Sequence, residues 1–197
     1  MKNPNRTAAE RRRASGENMR PETIVIAAGK NDGSCLDYTK MMVDMTGCDA
    51  MQYNKKQLGY VALYKNIVFI GAIKEGCINH LNILWQNYSN FDLAGRNLIV
   101  CGVGLGDPKS KTYIKRVKHL SMCDQGHCKS FYILPGQLDP QHMKLSERAQ
   151  FSSFLNKIGE IYDPKDAELI IQRANEGYQG VQRAALLPLV EELKNLK

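Results

Sequence analysis

Hydrophobic residues occur along this chain in short unbroken runs that are separated by amphipathic segments. Four runs are rich in β-branched residues and end in glycine or small residues: "TIVIAA" (23–28), "NIVFIG" (66–71), "NLIVCGVG" (97–104) and "KSFYILPG" (129–136). Strands buried on both faces read as continuous apolar runs, and such strands belong to parallel sheets that helices cover. The pattern therefore predicts four buried parallel strands.

The segments between these runs have helical periodicity. Residues 33–45 and 76–90 carry apolar side chains three and four positions apart, as one face of an α-helix requires. Further helices are predicted over 111–120 and 145–162, and a weaker strand over 48–54. This alternation of strands and helices predicts an α/β fold with a right-handed, doubly wound sheet.

The C-terminal part of the sequence carries helix start and stop signals. Asp163 followed by Pro164 predicts an N-cap and a first turn, and Gly177 predicts the end of that helix. A final helix is predicted over residues 180–197, with Pro188 bending or interrupting it. We interpret these helices as an extension of the α/β unit.

Positive charge is concentrated at the start of the sequence. The 197-residue chain has a net charge of +7, and residues 1–20 hold +4 of it. This segment has neither hydrophobic periodicity nor the apolar run of a secretory signal, so we predict a disordered basic arm over residues 1–21. The segment "RRRAS" (11–15) is compatible with a basophilic kinase site or a polyanion contact. We favour a third interpretation, a solvated tail.

The cysteines indicate a reducing compartment. Six cysteines are scattered through apolar segments without a recognisable signal peptide, so we predict a cytoplasmic protein with reduced thiols. No stretch approaches the ~18 apolar residues of a membrane span. His119, Cys123, His127 and Cys128 lie close enough in sequence to suggest zinc. Their spacing fits no standard metal-binding pair, so we favour ordinary packing and expect no metal.

In an open α/β sheet a ligand binds beyond the carboxyl ends of the strands, where the chain order reverses. This rule places residues 29–35, 71–76 and 102–107 around one crevice. The first loop combines glycines with the Ser34 hydroxyl and the Lys30 charge at the start of a helix, which suits a phosphate. A simple turn explains the same residues equally well. The loop matches neither the Walker nor the dinucleotide glycine pattern, which disfavours ATP and NAD.

Four motifs occur in a distinctive order before the last helix. They are "YKNIVFIGAIKEGCINHLNIL", "LAGRNLIVCGVG", "SFYILPGQLDPQHM" and "DPKDAELIIQRANEG". Their order resembles the flavodoxin-domain proteins of anaerobic bacteria, relatives of the menaquinone-dependent protoporphyrinogen dehydrogenases, over residues 22 to 196. This resemblance implies a flavodoxin-like five-stranded parallel sheet of order 2-1-3-4-5 with extra C-terminal helices. It also implies noncovalent binding of FMN at the loops after strands 1, 3 and 4.

On this resemblance, the FMN-binding positions fall on three loops. They are Gly29, Lys30, Asn31, Gly33, Ser34 and Cys35 on the first, Gly71, Ala72, Ile73, Lys74 and Gly76 on the second, and Val103, Gly104 and Gly106 on the third. Two of these loops depart from the family pattern. Asn31, Asp32 and Cys35 stand where small hydroxyl residues are usual, and Lys74 replaces the tyrosine that brings an aromatic ring against the flavin. No residue is identified as a proton donor.

Three functions are compatible with these features. We favour an FMN-dependent electron carrier or small oxidoreductase, with a redox partner protein or a small-molecule or quinone substrate that the sequence does not name. The first alternative is a degenerate flavodoxin-like domain without flavin that acts as a binding or scaffolding module. The second is a nucleic-acid or polyanion binder that uses the arm and "KSKTYIKRVKH" (109–119), and it ranks last because the folded part is only mildly basic. The expected division is a basic arm (1–21), a flavodoxin-like domain (22–162) and a C-terminal helical extension (163–197).

Overall fold

The apolar runs and their amphipathic spacers form strands and helices in alternation in the computed structural model, which describes residues 22–29, 33–53 and 58–196. The strands of this part of the chain are β1 (Thr23–Ala27), β2 (Asp49–Gln52), β3 (Asn66–Lys74), β4 (Cys77–Ile78), β5 (Asn97–Gly104), β6 (Ser130–Pro135), β7 (Gln137–Leu138) and β8 (Tyr178–Gln179). Its α-helices are α1 (Gly33–Thr46), α2 (Asn82–Gln86), α3 (Lys111–Leu120), α4 (Leu145–Asn156), α5 (Ile158–Ile161), α6 (Pro164–Glu176) and α7 (Leu187–Asn195). Short 3-10 helices span Leu58–Leu63, Leu93–Gly95 and Arg183–Leu186. The predicted basic arm (1–21) lies outside the described residues.

Five parallel strands form the main sheet in the order β2-β1-β3-β5-β6. Val25 pairs with Ala50 on one side and with Val68 on the other, and Val68 pairs in turn with Ile99. Counted along the chain, these parallel strands have the order 2-1-3-4-5, which defines the flavodoxin-like form of the doubly wound α/β fold. The predicted fold class is confirmed.

Helices cover both faces of this sheet because successive strand residues point to opposite sides. One face presents Ile26, Phe69 and Leu98 to a core that α2, α3, α5 and α6 complete. The other face presents Val25 and Ile99, and it packs against α1 and α7. This three-layer packing explains why the strands read as unbroken apolar runs rather than as alternating ones.

The predicted helix over residues 76–90 is wrong. The chain instead turns at Glu75 and Gly76 and returns as β4, which pairs antiparallel with the end of β3. Glu75 and Gly76 have φ angles of 50° and 82°, and positive φ at both central residues is what a two-residue type I′ hairpin requires. Only the short helix α2 follows, after His80 in a left-handed conformation.

The helical predictions elsewhere differ in their outcomes. The predicted helices over 33–45 and 111–120 are confirmed, whereas the single helix predicted over 145–162 is divided into α4 and α5 at Lys157. Asp163 caps α6 as predicted, because its carboxylate accepts a hydrogen bond from the Asp166 backbone N–H at 3.0 Å. Pro188 lies in the first turn of α7, where the preceding 3-10 helix ends, so the predicted interruption is also confirmed.

The C-terminal segment returns to the loop that follows β6. Strands β7 and β8 pair antiparallel, and the Tyr38 hydroxyl donates a hydrogen bond to Pro135 O at 2.8 Å while accepting one from Gln182 N at 3.4 Å. The apolar side of α7, including Leu189 and Leu193, completes the second core. Within the described ranges, none of the helices combines the length and apolar character needed to cross a bilayer.

Candidate functional site

The carboxyl ends of the parallel strands open into a cavity of about 640 Å³. Its walls come from Gly29 after β1, from residues 72–75 at the end of β3, from residues 103–105 at the end of β5, and from residues 136–138 after β6. Part of α4 forms a further wall. This volume lies within the roughly 300–1,000 Å³ of small-molecule and cofactor sites, and the location is the one where doubly wound sheets bind ligands.

The structure brings together part of the predicted set of binding residues. The members that line the cavity are Gly29, Ser34, Ala72, Ile73, Lys74, Val103 and Gly104. The members that do not line it are Gly33, Cys35, Gly71, Gly76 and Gly106. Lys30 and Asn31 lie outside the described residues, as does the adjacent Asp32.

Two glycines of the second loop shape the β3–β4 hairpin rather than the cavity. A Cβ at Gly71 would lie 2.7 Å from Ile78 Cγ2, so a side chain there would push the returning strand away. A Cβ at Gly76 would meet Leu120 Cδ1 at 2.6 Å and Ile161 Cγ2 at 2.9 Å, in addition to the cost of the positive φ. The loop that a flavin is expected to contact therefore ends in a tightly packed turn.

Three further predicted residues pack against neighbouring parts of the fold and do not line the cavity. Cys35 is fully buried on the side of α1 that packs against the sheet. Gly106 lies over the ring of Tyr113, where a Cβ would be 2.3 Å from Cζ. Gly33 is the first residue of α1 and lies next to Gln137, which lines the cavity. A Cβ on Gly33 would lie 3.5 Å from Gln137 Nε2.

The end of the cavity next to β1 suits an anion. Gly29 has a φ of 97°, and Ser34, with 6% of its surface exposed, lies in the first turn of the 14-residue helix α1. This turn contains no acidic residue. Unpaired backbone N–H groups and the positive end of the helix dipole favour negative charge at such a position.

Two tyrosines form the floor of the cavity. The ring centres of Tyr113 and Tyr162 lie 5.1 Å apart, and their planes are inclined by 37°. Burial raises the pKa of Tyr113 to about 12, and burial also raises the pKa of Tyr162, with the neighbouring Tyr113 adding to the effect. Both hydroxyls therefore stay protonated at neutral pH and act as fixed hydrogen-bonding groups.

An arginine holds the loop after β5. One Arg173 nitrogen donates hydrogen bonds to Leu105 O at 2.6 Å and to Gly106 O at 2.9 Å, while the guanidinium lies 4.1 Å from the ring centre of Tyr178. The N–H of Gly136 donates to Gly104 O at 2.7 Å on the other side of this loop. The backbone that forms the β5 wall is therefore fixed from both sides.

The wall contributed by α4 was missed by the sequence reasoning. Phe151 and Phe154, whose ring centres lie 6.0 Å apart, line the cavity together with Glu147, Gln150 and, from the preceding loop, Met143. No residue of α4 is fully buried. An aromatic pair three residues apart in an otherwise polar segment is the signal that could have indicated this wall.

The part of the cavity wall formed by Lys74, Asn79 and His80 is polar. Lys74 is exposed at the end of β3, and Asn79 and His80 also face the cavity. The His80 ring stacks on the ring of Tyr53 with centres 4.9 Å apart and planes 13° apart. Apolar walls with a few convergent polar groups are the usual composition of a cofactor site.

The residues considered for zinc have other contacts. His119 Nδ1 lies 2.6 Å from an Asp124 carboxylate oxygen, and the His127 ring packs 4.8 Å from Tyr88. Cys123 is buried, and the Cys128 thiol donates a hydrogen bond to Cys123 O. Among the residues that the structure describes, no group of three or more His, Cys, Asp and Glu side chains is placed to hold a metal ion.

Known structures resemble this fold at low sequence identity. The Trp repressor binding protein from Bacillus subtilis is 15% identical with a TM-score of 0.46, covering 67% of this chain and 94% of its own. The NADPH-quinone reductase from P. pentosaceus is 9% identical with a TM-score of 0.43, covering 69% and 95%. The flavodoxin, WrbA-like protein from Agrobacterium tumefaciens is 8% identical with a TM-score of 0.40, covering 76% and 97%. Superpositions at these scores are too loose to identify a function.

The sequence comparisons give no further relative. No family model matches the sequence, and no curated protein matches it. The assignment of the fold therefore depends on the strand order and on the helices that cover the two faces of the sheet.

Proposed function

We propose that this flavodoxin-like protein binds FMN and acts in electron transfer or as a small flavin-dependent oxidoreductase. The observation that carries the proposal is the cavity at the carboxyl ends of β1, β3, β5 and β6. In sheets of order 2-1-3-4-5, successive strands are added first on one side of β1 and then on the other, so the strand order reverses between β1 and β3. FMN binds at that point in flavodoxin. Gly29 and Lys74 line the cavity on the two sides of this reversal.

The residues of the cavity fit the chemical groups of FMN. The amides at the start of α1 and the Ser34 hydroxyl would hold the phosphate, because no acidic residue of that turn opposes it. Ile73, Phe151 and Phe154 would contact the flat ring system through apolar and aromatic surfaces. The flavin supplies the redox chemistry when bound, and the protein binds it, orients it and limits its access to water.

Lys74 distinguishes this site from the pattern of the resembling family. Its ammonium would place a positive charge beside the ring, where the family has an aromatic side chain. A positive charge stabilises negative charge on a neighbouring group and so favours electron uptake by the ring. The same substitution favours the second candidate function, a flavodoxin-like module without flavin that binds another molecule.

The finer assignments are part of the same proposal. A relationship to the menaquinone-dependent protoporphyrinogen dehydrogenases, a quinone or a redox protein as the electron partner, and a cytoplasmic location are supported by the sequence motifs and the reduced thiols. We also propose that residues 163–197 are an extension of the flavodoxin-like domain of residues 22–162. The packing of Leu189 and Leu193 against the second core supports this division.

The proposal is tested by the absorption spectrum of the purified chain and by titration with FMN. We expect a yellow protein, or a colourless one that quenches FMN fluorescence saturably on reconstitution. Phe151→Ala together with Phe154→Ala should weaken binding about tenfold or more, since an aromatic contact contributes about 0.5–1.5 kcal/mol beyond its buried area.

Leu145→Ala is the matched control for these variants, because Leu145 lies on the same helix but is 85% exposed. Its affinity for FMN should equal that of the unmodified protein. A folded, colourless protein that does not bind added FMN would overturn the flavin proposal and leave the module without flavin.

A further inference from the structure

The loop between α3 and β6 brings two thiols together. Cys123 is 2% exposed and donates a hydrogen bond from its thiol to Ser121 O, while Cys128 is half-buried and donates to Cys123 O at 3.2 Å. The Cys128 sulfur therefore lies against the backbone of the residue that carries the second thiol. A disulfide between these two cysteines would close the loop of residues 123–128.

The backbone of the loop fixes both cysteines. The Cys123 N–H donates to Lys118 O at 2.9 Å, and the Lys129 N–H, directly after Cys128, donates to Leu98 O at 2.7 Å. Two turns with positive φ, at Met122 and Gly126, close the segment between these anchors. The thiols are therefore held close together by the fold.

The surroundings make Cys128 the more nucleophilic of the two. When Cys128 is ionised, the Cys123 thiol turns from Ser121 O and donates to the Cys128 sulfur, which lowers the pKa of Cys128 to about 7. The ammonium of Lys118 acts in the same direction, against burial and the charge of Asp124. The pKa of Cys123 is raised by its hydrogen bond with Cys128 and by burial. Only the thiolate reacts with peroxides, so the half-exposed Cys128 is the residue that attacks first.

We propose that Cys123 and Cys128 form a peroxide-reactive dithiol that closes to a disulfide. The Cys128 sulfur attacks one oxygen of a hydroperoxide and breaks the O–O bond. Cys128 becomes a sulfenic acid, and the other oxygen leaves in an alcohol or in water. The Cys123 thiol then attacks this sulfur and releases water. Two thiols thus lose two electrons and two protons to one hydroperoxide, and a thiol reductant reverses the reaction.

Cys77 provides an internal comparison because it is the exposed cysteine of the chain. Burial of its sulfur and the neighbouring Glu75 raise the pKa of Cys77, and its thiol donates to Leu120 O rather than to another thiol. At pH 7 Cys128 would be about half thiolate, whereas Cys77, whose pKa is raised, would be largely protonated. A less basic thiolate is a weaker nucleophile, but the larger thiolate fraction of Cys128 outweighs this, so Cys128 should react faster than Cys77.

The structure contains a spectroscopic reporter for this reaction. Trp85 is the only tryptophan of the chain, and its indole N–H donates to Ser121 O at 2.9 Å. Its ring centre also lies 5.9 Å from that of His127, the residue next to Cys128. Closure of the disulfide removes the Cys123 thiol proton from Ser121 O, which is also the acceptor of the indole N–H, so we expect a change in Trp85 fluorescence.

The experiment treats the full chain with hydrogen peroxide and follows the products by non-reducing peptide mass spectrometry and by Trp85 emission. We expect a peptide in which Cys123 and Cys128 have lost two hydrogen atoms, a parallel change in emission, and reversal of both by dithiothreitol. Cys77→Ser should preserve all three results. Cys128→Ser should abolish the link and the emission change, and Cys123→Ser should leave a Cys128 sulfenic acid that dimedone traps.

Two results would overturn the proposal. One is a folded, unmodified protein in which peroxide gives no link between Cys123 and Cys128. The other is oxidation of Cys77 at the same rate as Cys128 or faster. Because the half-buried Cys128 is replaced more easily than the buried Cys123, the Cys128→Ser variant keeps the test decisive if Cys123→Ser does not fold.

Discussion

A single buried carboxylate joins the start of two helices, and its removal should destabilise the fold measurably. Asp166 is 4% exposed and accepts hydrogen bonds from Ser110 Oγ at 3.0 Å and from Thr112 Oγ1 at 2.6 Å. Ser110 caps α3, and Asp166 lies in the first turn of α6. The carboxylate therefore faces the positive ends of both helices.

The expected effect follows from these contacts. Each hydrogen bond to a charged group contributes about 1.5–3 kcal/mol, and a hydroxyl–hydroxyl contact between Ser110 and Thr112 at 2.9 Å offsets part of the loss. Asp166→Ala should therefore lower the free energy of unfolding by about 3 kcal/mol, or the Tm by about 6–12 °C for a chain of this size. Asp166→Asn keeps one acceptor oxygen and should lose about 1–2 kcal/mol.

Urea denaturation followed by circular dichroism measures both variants, with Glu168→Ala as the control. Glu168 lies on the same helix but is exposed, so its replacement should change stability by less than about 0.5 kcal/mol. The m-value should stay constant while the midpoint falls. An Asp166→Ala protein that unfolds at the same urea concentration as the Glu168→Ala control would refute the role assigned to this carboxylate.

The other predictions concern the cavity and its supports. Burial raises the pKa of Tyr38 to about 12, so the contribution of Tyr38 to stability should be constant up to about pH 10, the ordinary tyrosine pKa, and then fall towards pH 12; Tyr38→Phe should remove this part of the fall in alkaline denaturation curves. The same variant should lose about 1 kcal/mol at pH 7 with the hydrogen bond to Pro135 O. Arg173→Lys should raise the dissociation constant for FMN several-fold, because lysine cannot reproduce the contacts to Leu105 O and to the aromatic ring; unchanged calorimetric affinity would contradict this. Lys74→Tyr should bind FMN about 2- to 12-fold more tightly in fluorescence titrations through aromatic contact, and equal or weaker binding would argue against a ring at this position.

The sequence was sufficient for the parts of the fold that depend on repeated local patterns. The run at 97–104 forms β5 with the predicted bounds, and the strand order follows the resemblance stated from the motifs. The prediction of a helix over 76–90 was wrong because Ile78, Leu81 and Leu84 have the spacing of a helical face. In the structure all three are buried, but Ile78 belongs to β4, Leu81 to a turn and Leu84 to α2. Positive φ at Glu75 and Gly76 decides this region, and hydrophobic periodicity does not report it.

The candidate site was predictable only where it belongs to strand ends. Gly29, Lys74 and Gly104 line the cavity as the rule for open α/β sheets leads one to expect. Phe151 and Phe154 reach it from a helix that lies far along the chain, and no local pattern relates that helix to the strand ends. Positions such as these depend on tertiary packing, which a single sequence does not encode in any short window.

The hydrogen bonds of Tyr38 have a consequence for the synthesis of the protein. Tyr38 is separated by 97 residues from Pro135 and by 144 residues from Gln182, and its hydroxyl contacts the backbone of both. A ribosome releases the amino-terminal strands long before the segment that contains Gln182 has left the exit tunnel. Until that segment emerges, the sheet face that α7 covers stays open, so the synthesis of residues 180–196 completes the second core.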